Sequence, residues 1–305
     1  MLRQALRRLR ACLVAALPLA LPACVAPCDG GPSTTVGVAL QNRLPVMPVE
    51  VNGRPVPFVM DTGASLTTLL PEGVAVLGLP VDRLRFSSGV GIAGETRAQN
   101  VLLSRMRVGG HDLRNLSVPV AAYSRPGGAR VAGLLGADLL RISEVELDMP
   151  ARRVTLHDGR RCRLAAMPGQ GAYDAIPVAL VGGGLMVLPV EVNGQPMRAL
   201  FDTGAEASLL RRSLAPAIGV TEQEVTRLPM GTAHGIGTGG VEVRLLRGVT
   251  VRIGAERMAG ASLLLGPLPA SAPFDLILGQ DYIGGRRFWL SYAEQRLYVQ
   301  RPGGR

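Results

Sequence analysis

From about residue 35 onward, short apolar-rich runs alternate with Gly, Pro, Asn and Asp, and the runs are too short and too often interrupted for long helices. This punctuation predicts a chain made mostly of short β-strands. The segments Val49-Glu50-Val51-Asn52-Gly53 and Val190-Glu191-Val192-Asn193-Gly194 each predict a strand running into a two-residue hairpin turn. Arg107-Val108-Gly109-Gly110-His111 predicts another hairpin, and Leu66–Leu70 and Ala207–Leu210 are further apolar runs. One short helix is expected at Gly136–Arg141 and one at Gly279–Gly284.

The pattern occurs twice. Residues 47–64 and 188–205 align without a gap at an offset of 141, with 11 of 18 positions identical. The correspondence extends to Val38-Ala39-Leu40 against Val178-Ala179-Leu180, and to Leu134–Asp138 against Ile277–Asp281. A tandem duplication of a unit of about 125 residues follows. The expected division is an N-terminal address over 1–23, a linker over 24–34, a first lobe over 35–158, a linker over 159–174 and a second lobe over 175–301. Units of this size built from many short strands favour compact β-barrel-like lobes.

Composition changes the picture little. Hydrophobic residues make up 47% of the 305 and charged residues 18%, which excludes wholesale disorder. The formal charge is +10, and every basic residue is Arg. Four of them (Arg3, Arg7, Arg8, Arg10) sit in the first ten positions and the rest are scattered, so no nucleic-acid partner is expected. His111, His157 and His234 match no metal-ligand spacing, and no metal is expected.

The basic N-terminus is followed by an uncharged stretch, Ala11 to Cys28, which reads as an export signal. Leu21-Pro22-Ala23-Cys24 resembles a bacterial lipobox, making Cys24 a candidate lipidation site and the protein a periplasmic or membrane-anchored lipoprotein; Pro22 departs from that pattern. Ordinary cleavage after Ala23 or Ala26 is the alternative, and a retained anchor is disfavoured by Pro18, Pro22 and Pro27. Cys28 and Cys162 either pair as a disulfide or remain thiols.

The candidate chemistry lies in Asp61-Thr62-Gly63-Ala64 and Asp202-Thr203-Gly204-Ala205, each directly after an apolar run. One Asp-Thr-Gly marks a strand-to-turn junction and little more. Two, in matching places of a duplicated unit, meet at the axis if the lobes pack as a pseudo-dimer. Carboxylates that share an axis cannot both ionise, and a water held between them is readily deprotonated.

These residues, with Leu134-Leu135-Gly136 and Ile277-Leu278-Gly279, resemble the retropepsin-like aspartic proteases, with both halves fused in one chain. The resemblance implies an all-β fold of two pseudo-two-fold-related lobes of closed β-barrel type with a short helix each, acting on a polypeptide as a monomer without cofactor. It implies Asp61 and Asp202 as the water-activating pair, Thr62 and Thr203 interlocked across the axis, and Gly63 and Gly204 beside the pair. It places the substrate-covering flaps at Gly91-Ile92-Ala93 and Gly235-Ile236-Gly237. Two features depart from the pattern: the flaps lack the aromatic residue of pepsin-like enzymes, and Ser65 in one copy stands against Glu206 in the other. Glu206 either pairs with Arg211 or Arg212 or is a solvated turn charge. Ala64 and Ala205 offer no hydroxyl to the carboxylates, so a mildly acidic optimum is expected.

Three alternatives compete. Gly89–Gly94 fits G-x-G-x-x-G with Asp112 downstream, but a dinucleotide site needs a strand before it and a helix after it. A lipid-anchored peptide-binding module without turnover would keep the cleft and lose cleavage. Two lobes that face away from each other would share no cleft at all.

Overall fold

The computed structural model describes residues 33–92, 94–122, 130–158, 173–237 and 239–301. Its strands follow the expected punctuation. Leu44–Val51 and Arg54–Met60 form a hairpin around Asn52-Gly53, and Leu185–Val192 and Gln195–Phe201 form its copy around Asn193-Gly194. In both turns Asn has φ 49° and Gly has φ 81°, the left-handed pair that two-residue hairpins require. The hairpin at Gly109-Gly110 joins Gly94–Val108 to His111–Pro119 as its composition predicts.

Each lobe closes on itself. In the first, the ring runs Leu44–Val51, Arg54–Met60, Gly133–Leu135, Thr68–Leu69, His111–Pro119 and Gly94–Val108. A bridge from Leu69 to Val120 and the pairs Glu50–Arg107 and Val51–Met106 close it. The second lobe repeats the ring with Leu185–Val192, Gln195–Phe201, Leu276–Leu278, Leu209–Arg211, Glu256–Gly266 and Gly240–Ile253, closed by Glu191–Arg252 and Val192–Val251. Closure removes the unpaired backbone edges that short sheets otherwise expose.

A six-stranded antiparallel sheet joins the lobes, in the order Ser33–Gly37, Arg153–Asp158, Ser143–Asp148, Arg287–Ser291, Arg296–Gln300, Tyr173–Pro177. The pseudo-two-fold passes between its two central strands, where Val145 faces Leu290 and Leu147 faces Phe288. All four side chains are buried in one hydrophobic core that draws from both lobes. Phe201 meets Phe288 edge-on there, with ring centroids 5.0 Å apart. This shared core turns the barrels toward each other and excludes lobes that face apart.

The helices at Ala137–Leu140 and Gln280–Ile283 sit where expected, with Gly136 and Gly279 at their N-caps. Further helical turns accompany them. Pro71–Leu77 has Pro in its first turn and ends on Gly78 at φ 63°. In the second lobe a 3₁₀ turn, Arg212–Ile218, precedes a helix, Glu222–Arg227, that Thr221 and Glu224 cap reciprocally. Residues 94–99 belong to a strand, so the Gly-rich segment before them opens no helix and the dinucleotide reading falls.

Candidate active site

Asp61 leaves the inner end of Arg54–Met60, whose last three residues are buried. That strand is held antiparallel by Leu44–Val51 and parallel by Gly133–Leu135, and the Asp61 N–H continues the ladder onto the Leu135 carbonyl at 2.9 Å. Asp202 leaves Gln195–Phe201 in the same way, its N–H on the Leu278 carbonyl at 3.0 Å. Both acids therefore hang from a strand paired on both sides.

The threonines tie the two loops together. Thr62 N–H donates to Thr203 Oγ1 at 3.0 Å, and Thr203 Oγ1 donates to the Met60 carbonyl at 2.6 Å. Thr203 N–H donates to Thr62 Oγ1 at 3.0 Å, and Thr62 Oγ1 donates to the Phe201 carbonyl at 2.7 Å. All four bonds are buried and cross between lobes, so the spacing of the acids is set by hydrogen bonds that solvent does not weaken.

The glycines let the acids meet. A Cβ on Gly63 would lie 2.2 Å from Asp202 Cγ, and one on Gly204 would lie 2.4 Å from Asp61 Cγ. Each glycine is the wall behind the other lobe's carboxyl, and no side chain fits there. The two carboxyls come within hydrogen-bonding reach of each other. Asp61 Oδ1 also accepts from the N–H groups of Gly63 and Ala64, both at 3.0 Å, and Asp202 Oδ1 accepts from Gly204 N–H at 2.8 Å.

Burial pushes both carboxyls above their ordinary range. Asp202 is driven furthest, because burial is joined by the Asp61 charge beside it. Asp61 is held back by the hydrogen bond from Asp202 and by its two backbone donors. Two carboxyls this close share one proton more readily than they carry two charges, and the larger upward shift favours Asp202 as its holder.

A second layer was not read from the sequence. Thr67 donates to Asp138 Oδ1 from both N and Oγ1 at 2.8 Å and accepts from Gly136 N–H at 3.0 Å. Ser208 repeats this with Asp281 and Gly279, its Oγ 2.7 Å from Asp281 Oδ1. These bonds pin the far end of each Asp-Thr-Gly loop to the short helix behind it. Ala137 and Gln280 occupy the same place in the two copies, and there the lobes differ. Gln280 Nε2 donates to the Thr203 carbonyl at 2.8 Å. The peptide it grips is the one whose N–H, on Gly204, serves Asp202. The repeat itself carried a signal for this layer, since Thr/Ser at 67 and 208 and Asp at 138 and 281 recur in register.

The hairpin tips meet across the axis. Strands Val81–Gly91 and Gly94–Val108 carry one tip, and Met230–His234 and Gly240–Ile253 flank the other. A Cβ on Gly91 would lie 2.5 Å from the Ile236 carbonyl oxygen, and one on Gly235 would lie 2.7 Å from Ile92 Cγ2. Ile92 packs on a second-lobe cluster that includes Val187, Leu200 and Phe274, while Ile236 packs on a first-lobe cluster that includes Leu44, Val59 and Leu134. Gly237 N–H reaches the Ala122 carbonyl at 2.9 Å. Ala93 and Cys24 lie outside the described residues. Arg211 donates to the carbonyls of Leu268, Pro269, Ala272 and Phe274, and Arg212 pairs with Glu222. Among the described residues, no three His, Cys, Asp or Glu side chains are grouped as a metal site would need.

A family model described as aspartyl protease matches residues 47–139 and 188–282, once in each lobe. DNA damage-inducible protein 1 of Chaetomium globosum is 28% identical over 139 residues, which span 43% of this chain and 28% of that protein's length. The fold is similar to basic 7S globulin from soybean, with a TM-score of 0.50 and 10% identity over 89% of this chain and 95% of that one.

Proposed function

The chain belongs to the retropepsin-like aspartyl protease family, with the family unit present twice, and on that footing we propose that it is an exported endopeptidase that cleaves peptide bonds by direct attack of water. Asp61, ionised, takes a proton from the water as its oxygen bonds to the scissile carbonyl carbon. Asp202, protonated, gives its proton to the carbonyl oxygen. Asp61 then returns a proton to the amide nitrogen, the C–N bond breaks, and Asp202 recovers its proton as the product carboxyl forms. Thr62 and Thr203 keep the acids at working distance, and Gly63 and Gly204 give them room. The backbone around Gly91-Ile92 and Gly235–Gly237 closes over an extended polypeptide with strand-like hydrogen bonds.

The single observation that carries this reading is the pair of carboxyls, one from each lobe, brought within hydrogen-bonding reach of each other by the Thr62–Thr203 interlock. Both half-sites lie in one chain, which supports activity as a monomer. The basic-then-apolar N-terminus supports export, and Leu21-Pro22-Ala23-Cys24 supports a lipid anchor in the membrane; the mass of the N-terminal peptide from cells tests both. For the activity, the test is a panel of unfolded peptides at acid to neutral pH with Asp61→Asn and Asp202→Asn. Each variant should fold and bind but produce no fragments. Full cleavage by either variant would defeat the assignment, and a wild-type chain that retains peptides without cutting them would make it a binding module.

A further inference from the structure

The strand Val81–Gly91 ends the sheet of the first lobe, and its pairing breaks in one place. Asp82 faces Asn100 and Phe86 faces Gln99, so residues 83–85 bulge out without a partner across the strand. The bulge is fastened from within. Asp82 Oδ1 accepts the Leu84 N–H at 3.0 Å, while its Oδ2 accepts from Ser117 Oγ at 2.6 Å. Gln99 Nε2 spans the bulge, donating to the carbonyls of Asp82 at 2.6 Å and Arg85 at 3.2 Å. The corresponding pairing in the second lobe is unbroken: Met230–His234 pairs with Arg244–Gly240 in continuous register.

This scaffold holds a leucine out in water. Leu84 is 92% exposed and Phe86 53%, with Val81 and Leu102 exposed as well. Because the bulge is stapled at both ends, Leu84 cannot fold back onto its own surface, and such a patch points to a partner. Arg83 and Arg85 flank it, both exposed, and the Arg97 guanidinium lies 4.9 Å from the centre of the Phe86 ring. The one acid between residues 81 and 89 is Asp82, which is buried and turned inward. A small apolar wedge inside a ring of guanidiniums is complementary to a layer that is anionic outside and hydrocarbon within.

We propose that the 83–85 bulge docks the protein on an anionic lipid surface, with Leu84 and Phe86 entering the acyl boundary and Arg83, Arg85 and Arg97 meeting lipid phosphates. A protein partner fits less well, since the exposed apolar part is small and stands out on a bulge among arginines. The proposal requires neither the protease reading nor the N-terminal address.

The test is co-sedimentation of the full chain with phosphatidylcholine vesicles, with and without one-third phosphatidylglycerol. Any binding by the N-terminus is common to all variants, so the differences between them are the readout. Arg83→Gln with Arg85→Gln should weaken binding to anionic vesicles about fivefold per arginine and flatten its salt dependence. Leu84→Glu should weaken it by about tenfold. Arg247→Gln with Arg257→Gln, the same charge loss at exposed sites on the other lobe, should change it little. Equal losses in the two arginine pairs would reduce the effect to diffuse charge and overturn the proposal. So would unchanged binding in all variants. A fall in solution mass on Leu84→Glu with vesicle binding intact would make the patch an interface between copies of the chain, and would also overturn it.

Discussion

Replacing Thr203 with Val keeps the shape of the side chain and removes its hydroxyl. The structure assigns that hydroxyl two buried bonds, accepting from Thr62 N–H and donating to the Met60 carbonyl. Val leaves both backbone groups without a partner and without access to water. Each orphaned group costs about 1–3 kcal/mol, so the expected loss is about 4 kcal/mol. For a chain of this size that lowers the thermal midpoint by roughly 8–16 °C. Thr203→Ser retains the hydroxyl and should cost only about 1 kcal/mol for the methyl. The assay is thermal and urea unfolding of wild type and both variants, with peptide cleavage measured alongside. Cleavage should fall steeply in Val and survive in Ser. A Val variant within about 1 kcal/mol of wild type, or a Ser variant as unstable as Val, would refute the interlock.

Gly204→Ala would place a methyl 2.4 Å from Asp61 Cγ, and peptide cleavage should drop at least about 100-fold as the acids separate. Gln280→Leu loosens the peptide that serves Asp202; kcat should fall roughly threefold to tenfold with KM unchanged, and the high-pH limb of the rate profile should move up as Asp202 holds its proton more tightly. If Gln280 were only filling space, the amount of folded enzyme would fall and that limb would stay put. Asp202, raised in the folded state, binds a proton that the unfolded chain releases above the ordinary carboxyl value of 3.8, so its contribution is full below that value and is lost as pH rises through the folded value. Asp202→Asn removes the loss, and its thermal midpoint should match wild type near about pH 3 and exceed it at neutral pH; a gap of the same size at both would contradict the raised pKa.

Much of the fold was legible because its signals are local. Asn-Gly at 52–53 and 193–194 forces a backbone that few other pairs adopt, and the turn follows at once. The Asp-Thr-Gly loops were legible because the chain states them twice. Less legible was whatever depends on long-range contact. The pairing of Val145 with Leu290 that turns the lobes inward joins residues far apart in sequence, and no periodicity announces it. Thr67 and Asp138 are ordinary residues until the fold brings them to 2.8 Å. Gln280 was invisible because a glutamine at a helix start reads as solvated, whereas here it is buried behind Thr203. The helix at Glu222–Arg227 is a different case: Thr221 and Glu224 spell its cap in the sequence, and the strand-rich surroundings masked it.

The account rests on one proton held jointly by Asp61 and Asp202. The direct measurement is an NMR titration of the chain labelled with ¹³C at aspartate side-chain carboxyls, with Asp61→Asn and Asp202→Asn giving the assignments. One carboxyl of the pair should remain protonated well above 3.8 while its neighbour is already charged, and in Asp61→Asn the raised titration should move down yet stay above that value, because burial remains. Two signals titrating independently near that ordinary value, indifferent to the loss of the other, would contradict it.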